Sequence, residues 1–136
     1  MPFGNLSEED CTAVFKHGNT TISLAPQPNA KASEPGDDCV IMDILSSAPQ
    51  WPDHGGNLPE KEYIASAIKL ADAVDTTKAH ILICCHSGIF RSAIVAIYVL
   101  IRRLGVDKET AIQTVLKAQG KSDSKNHVSR IRDYFK

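Results

Sequence analysis

Apolar residues follow three rhythms along this chain, and each predicts a different element. Positions 79–84 are apolar almost throughout (Ala79, Ile81, Leu82, Ile83, Cys84), the pattern of a short central strand buried on both faces. From Arg91 to Ile101 the chain is again apolar nearly all round, with nine consecutive apolar residues at 93–101. That length, closed by Gly105, reads as a helix packed through the middle of a domain. The third rhythm is a spacing of three and four. Behind Pro59 it joins Ile64, Ala67, Ile68, Ala71 and Val74; behind Asp107, a candidate N-cap, it joins Ala111, Ile112, Val115 and Leu116; in the last segment it joins Val128, Ile131 and Phe135. Each is an amphipathic helix with one covered face.

Two further strands are expected at 20–24 and 39–45. Ser7 followed by Glu8, Glu9 and Asp10 reads as a capped helix start, with Cys11, Val14 and Phe15 as a short apolar face ending near Gly18. Residues 25–38 and 46–56 carry Pro, Gly and polar residues without a period and read as surface loops. Strands alternating with helices predict an α/β fold: a central, mostly parallel sheet with helices on both faces, in a single domain spanning residues 1–136. No internal repeat is visible.

Composition narrows the partners. Fifteen basic against sixteen acidic residues leave a formal charge of −1, so no broad basic surface for nucleic acid or anionic lipid is expected. The longest apolar run is far short of the ~20 residues that cross a bilayer, and the N-terminus has no charged-then-apolar leader pattern. A soluble, cytoplasmic protein follows, with a monomer as the favoured state. Cys11, Cys39, Cys84 and Cys85 lack the dense spacing of a disulfide scaffold and read as free thiols in a reducing compartment. No metal or cofactor is called for.

The chemistry lies between the buried strand and the buried helix, in Cys85-His86-Ser87-Gly88-Ile89-Phe90-Arg91-Ser92. A loop that leaves a strand and enters a helix can turn its backbone N–H groups toward a tetrahedral anion, with the positive helix end facing the same point. In this reading Gly88 lets the backbone approach the anion, while His86, Ser87, Ile89 and Phe90 contribute mainly N–H groups. A cysteine placed there ionises, because the helix end and a nearby guanidinium stabilise the thiolate, which is the nucleophilic form. Arg91 supplies a planar fork for two phosphate oxygens. The plainer alternatives are a small buried hydrophobe for Cys85, a surface cation for Arg91 and a helix cap for Ser92.

Cys-x5-Arg-Ser after a strand resembles the signature loop of the cysteine-dependent protein tyrosine phosphatases, with Cys85, Arg91 and Ser92 in the matching positions. Trp51-Pro52-Asp53-His54-Gly55 resembles the mobile Trp-Pro-Asp loop of the same superfamily, and Asp53 precedes Cys85 by thirty-two positions (85 − 53), about the separation in compact dual-specificity members. The resemblance implies a metal-independent phosphatase whose partner is a phosphorylated protein: phosphotyrosine, with phosphoserine and phosphothreonine as further substrates, hydrolysed through a cysteinyl-phosphate intermediate. It implies Asp53 as general acid and then base, and Ser92 as donor to the departing sulfur. Asp43, expected at a strand end, is the rival acid. The alternatives are a catalytically silent phosphate-binding relative, or a phosphatase of phosphoinositides or RNA 5′-phosphates; the loop offers no lysine to recruit extra phosphates. Two departures stand out. The residue before the nucleophile is Cys84 where the family usually has histidine, with His86 just after, and the N-terminal part lacks the extra strands with which compact members open.

Overall fold

The computed structural model describes residues 8–27, 37–48, 51 and 59–136. Four strands form one mixed sheet: β1 (Ala13–His17), β2 (Thr20–Pro26), β3 (Cys39–Asp43) and β4 (His80–Cys85), in the spatial order β1-β2-β4-β3. β1 and β2 are antiparallel, whereas β4 runs parallel to both β2 and β3. The helices are a single turn, α1 (Ile44–Ser47), then α2 (Lys61–Ala73), α3 (Arg91–Arg102), α4 (Lys108–Gln119) and α5 (Lys125–Arg132). The expected α/β character therefore holds, with a mixed sheet.

One expected element is replaced. The helix read from Ser7 toward Gly18 is instead, within the described residues, one short 3-10 turn (Glu8–Asp10) followed by strand β1. Val14 and Phe15 are adjacent, which fits a helical stripe as readily as a strand. The deciding signal is the two-residue connection Gly18-Asn19 between the paired His17 and Thr20. Gly18 has φ 59, the glycine-first arrangement of a tight hairpin turn. Ala13 and Phe15 then face the core while Lys16 and His17 stay exposed on the edge, where charge discourages pairing with another chain. The strand end predicted at 45 also moves: Ile44 and Leu45 belong to α1.

β4 is buried on both faces as its sequence demanded, and its period of two sorts the side chains. Ile81, Ile83 and Cys85 join Ile22 and Leu24 in the large core beneath the helices. Leu82 and Cys84 point the other way, into a small cluster with Ala25, Cys11, Cys39 and Ile41. The described helices all contribute to the large cluster and none to the small one, so the expected helices on both faces are not found among the described residues: they cover one face of the sheet. Helix α3 is its axis, with ten consecutive residues from Arg91 to Leu100 buried. Arg103, just past α3, donates from one Nη1 to the carbonyls of Ala71, Asp72 and Val74 at 3.1, 2.8 and 2.8 Å, so a guanidinium caps the negative end of α2. Asp107 accepts from the Thr110 N–H at 3.0 Å as the expected N-cap of α4.

The β4–α3 connection rests on the end of β2. Gly88 has φ 72, and a Cβ there would lie 2.3 Å from the Ala25 carbonyl carbon and 2.6 Å from Pro26 N. Both the backbone angle and the contact require glycine. Gly88→Ala is expected to cost about 2–4 kcal/mol, the sum of a left-handed penalty and overpacking against backbone, read as a lowered urea midpoint; an unchanged midpoint contradicts this packing.

Candidate functional site

Cys85 ends β4 and Ser92 lies in the first turn of α3, and the six-residue connection returns the chain so that Cys85 Sγ and Ser92 Oγ stand 3.5 Å apart. Both are buried, at 1 % and 0 % exposure. The thiol can donate to the hydroxyl; once the sulfur is ionised the hydroxyl becomes the donor. Arg91, the first residue of α3, is 8 % exposed and donates from Nη1 to the backbone carbonyl of Trp51 at 2.9 Å. Of the four predicted catalytic residues, the structure therefore brings the Cys85 and Ser92 side chains together and places Arg91 next to Ser92 at the start of the same helix, with its guanidinium on the Trp51 carbonyl. Asp53, with His54 and Gly55, lies outside the described residues.

Trp51 is held from the far side. It is fully buried, its indole Nε1 donates to the Tyr134 hydroxyl at 2.9 Å, and its backbone N–H donates to the Ala48 carbonyl at 3.1 Å. Tyr98 donates its own hydroxyl to the Tyr134 carbonyl at 2.6 Å; burial pushes Tyr98 up to about 12, so it keeps its proton as a donor.

Asp43 does occupy a strand end, in register with Cys84. Its carboxylate accepts from Gln27 Nε2 at 3.0 and 2.9 Å and from Ser46 Oγ at 2.8 Å. Those contacts suit a structural acceptor that ties β2, β3 and α1 together.

Of the connecting residues, Gly88 and Phe90 are buried, Ile89 is half-buried, and His86 and Ser87 are exposed. Two donors from distant parts of the chain take their carbonyls. Thr12 Oγ1 donates to the Gly88 carbonyl and lies 3.2 Å from the Leu24 carbonyl. Gln119 Nε2 donates to the Ile89 carbonyl at 2.6 Å. A trans peptide sets its C=O and the following N–H in opposite directions, and the described residues contain no cis peptide. The N–H groups of Ile89 and Phe90 consequently point away from Thr12 and Gln119. Phe90 itself meets Tyr134 edge-on at 5.8 Å and 72° and lies under the Arg130 guanidinium at 4.1 Å. None of Thr12, Gln119, His127 or Arg130 was marked by a sequence motif. Thr12 is hidden by the helical reading of its segment, and the others lie thirty or more residues beyond Ile89.

Cys84 is 1 % exposed on the opposite face of the sheet from Cys85, so strand parity separates the two sulfurs. No disulfide joins any of the four cysteines. Burial, followed by the negative charge of Asp38, pushes the Cys39 thiol above its ordinary range. No group of three or more metal-ligating side chains occurs among the described residues, and no described helix is long and apolar enough to cross a membrane. A cavity of about 430 Å³ lies on the outer side of α5, lined in part by Lys125, Arg132 and Lys136. It contains none of the candidate residues, and Arg132 and Lys136 are already paired with Glu109 and Asp133 at 2.7 and 3.0 Å.

No family model, no curated protein and no solved structure matches the chain.

His127 lends itself to a direct measurement. Burial, with the charges of Lys121 and Arg130 adding to it, lowers it to about 4 from an ordinary 6.5. The folded state thus binds fewer protons than the unfolded state between those values. Its contribution is complete above pH ~6.5 and is lost as pH falls toward 4, a change on the order of 2–3 kcal/mol. Thermal melts from pH 7 to pH 4 are expected to lose stability more steeply in the native chain than in His127→Gln; parallel curves contradict the shift.

Proposed function

We propose that the protein is a cysteine-dependent phosphoric monoester hydrolase of the compact, dual-specificity-like protein tyrosine phosphatase type, a single catalytic domain acting on phosphorylated protein. The observation that carries this reading is the 2.9 Å bond from Arg91 to the Trp51 carbonyl. Trp51 and Arg91, forty residues apart and each drawn from a stretch resembling a part of one catalytic machine, meet in space. The 3.5 Å separation of Cys85 and Ser92 and the outward-held carbonyls of Gly88 and Ile89 support it further.

In this reading the 86–91 backbone and the guanidinium hold the phosphoryl group, and the N-terminus of α3 stabilises the Cys85 thiolate. The thiolate attacks phosphorus in line; the S–P bond forms as the P–O bond to the substrate breaks. Asp53 gives its proton to the departing oxygen. Water then attacks the cysteinyl-phosphate, Asp53 takes its proton, and the S–P bond breaks with the electron pair returning to sulfur, where the Ser92 hydroxyl donates to it. Near-complete burial of the sulfur keeps bulk water out, so the charges act at low screening. The side chains supply nucleophile, fork and proton donor, and no metal or cofactor enters a step.

Hydrolysis of a chromogenic aryl phosphate, insensitive to chelator and blocked by vanadate, is the test. Cys85→Ser is expected to abolish turnover. Asp53→Asn is expected to lower kcat about 10²-fold and to flatten the alkaline limb of the pH profile, because that limb reports loss of the acid's proton. Full activity in Cys85→Ser overturns the assignment. Vanadate binding without turnover identifies a silent binding relative instead.

A further inference from the structure

Gln119 stands between the loop and a buried histidine. Its Nε2 lies 2.6 Å from the Ile89 carbonyl, and its Oε1 lies 2.9 Å from His127 Nε2. This short chain has one workable proton arrangement. A carbonyl only accepts, so the amide nitrogen must face Ile89; the amide oxygen then faces the imidazole, and His127 Nε2 must carry the hydrogen. That nitrogen is a donor in both the neutral and the protonated ring, so the order of donors persists across the pH range of catalysis.

Both ends of the chain are anchored on rigid elements. Gln119 is the last residue of α4, which closes on the left-handed Gly120 (φ 69, ψ 28) with Lys121 N–H on the Leu116 carbonyl at 3.0 Å. His127 is 9 % exposed in the first turn of α5. The same helix supplies Arg130 over Phe90 at 4.1 Å, so α5 fixes the 89–90 peptide through Gln119 and its next side chain directly.

We propose that Gln119 and His127 are positioning residues: the imidazole orients the Gln119 amide, the amide holds the Ile89 carbonyl outward, and the Phe90 N–H is thereby presented to a bound oxyanion. The assignment rests on the phosphatase reading of the loop. Without the amide, a carbonyl dipole is free to turn toward the anion, and one stabilising donor is replaced by a repelling acceptor.

The test compares Gln119→Glu, His127→Phe and His127→Gln with the native protein, using an aryl phosphate as substrate and orthovanadate as the oxyanion probe. Gln119→Glu keeps the shape but sets acceptor against acceptor and adds a negative charge. It is expected to lower kcat/KM about 10²-fold, to weaken vanadate inhibition about tenfold, and to move the acidic limb of kcat/KM upward as the thiolate loses support. His127→Phe fills the site without a donor and is expected to lose about tenfold. His127→Gln, which can offer an N–H near the position of Nε2, is expected to recover most of that loss. A folded Gln119→Glu with native rate, limb and vanadate affinity overturns the proposal. Should that variant not fold, equal activity of the two His127 variants overturns it, because packing alone then explains the site. A native protein that neither turns over substrate nor binds vanadate overturns the phosphatase reading and this proposal together, whereas an active native protein with unaffected variants overturns this proposal alone.

Discussion

The period of two along β4 is the constraint on which the site depends. It sends Ile81, Ile83 and Cys85 to the helix-bearing face and Leu82 and Cys84 to the other. Slipping the register by one residue would exchange the two sulfurs and bury the wrong one beneath α3. Parallel pairing with β2 and β3 on both sides fixes that register through main-chain hydrogen bonds. Once Cys85 faces α3, a six-residue return is enough to bring Ser92 to its sulfur.

In the proposed reading, stability and chemistry draw on the same contacts. α3 is buried along ten consecutive residues, and at its start the apolar axis meets Arg91 and Ser92, two polar side chains with almost no exposure. Burying a guanidinium is costly unless it is hydrogen-bonded. The Trp51 carbonyl takes one of its N–H groups, and Trp51 is in turn held by Tyr134. The connection 86–90 is likewise clamped by residues remote in sequence: Thr12 before β1, Gln119 at the end of α4, and Ala25 and Pro26 at the end of β2 against Gly88. A loop fixed from several rigid elements is held in one shape, and in the proposed reading that preorganisation lets its backbone dipoles act without reorganising.

The chain reads well where its pattern is long or unmixed. The continuous apolar runs at β4 and α3, the three-and-four spacing of α2 and α4, and the Asp107 cap all appear where the sequence places them. β1 is ambiguous in the sequence because five residues whose three apolar positions are consecutive satisfy either period, and Gly18 serves equally as a helix end or as a hairpin glycine. The pairing of β1 with β2 settles it, and with it the position of Thr12.

By itself the sequence determined the α/β alternation, the burial of β4 and α3, and the short Cys85-to-Arg91 connection, because local periodicity and nearest-neighbour spacing are set within a few residues of chain. Only the tertiary structure decided that Cys84 turns away from Cys85, that Trp51 meets Arg91, and that Thr12 and Gln119 bond to the loop with His127 behind Gln119. Those relations join residues that nothing in the linear order connects, and they arise when packing closes distant elements on one another and each buried polar group must find a partner.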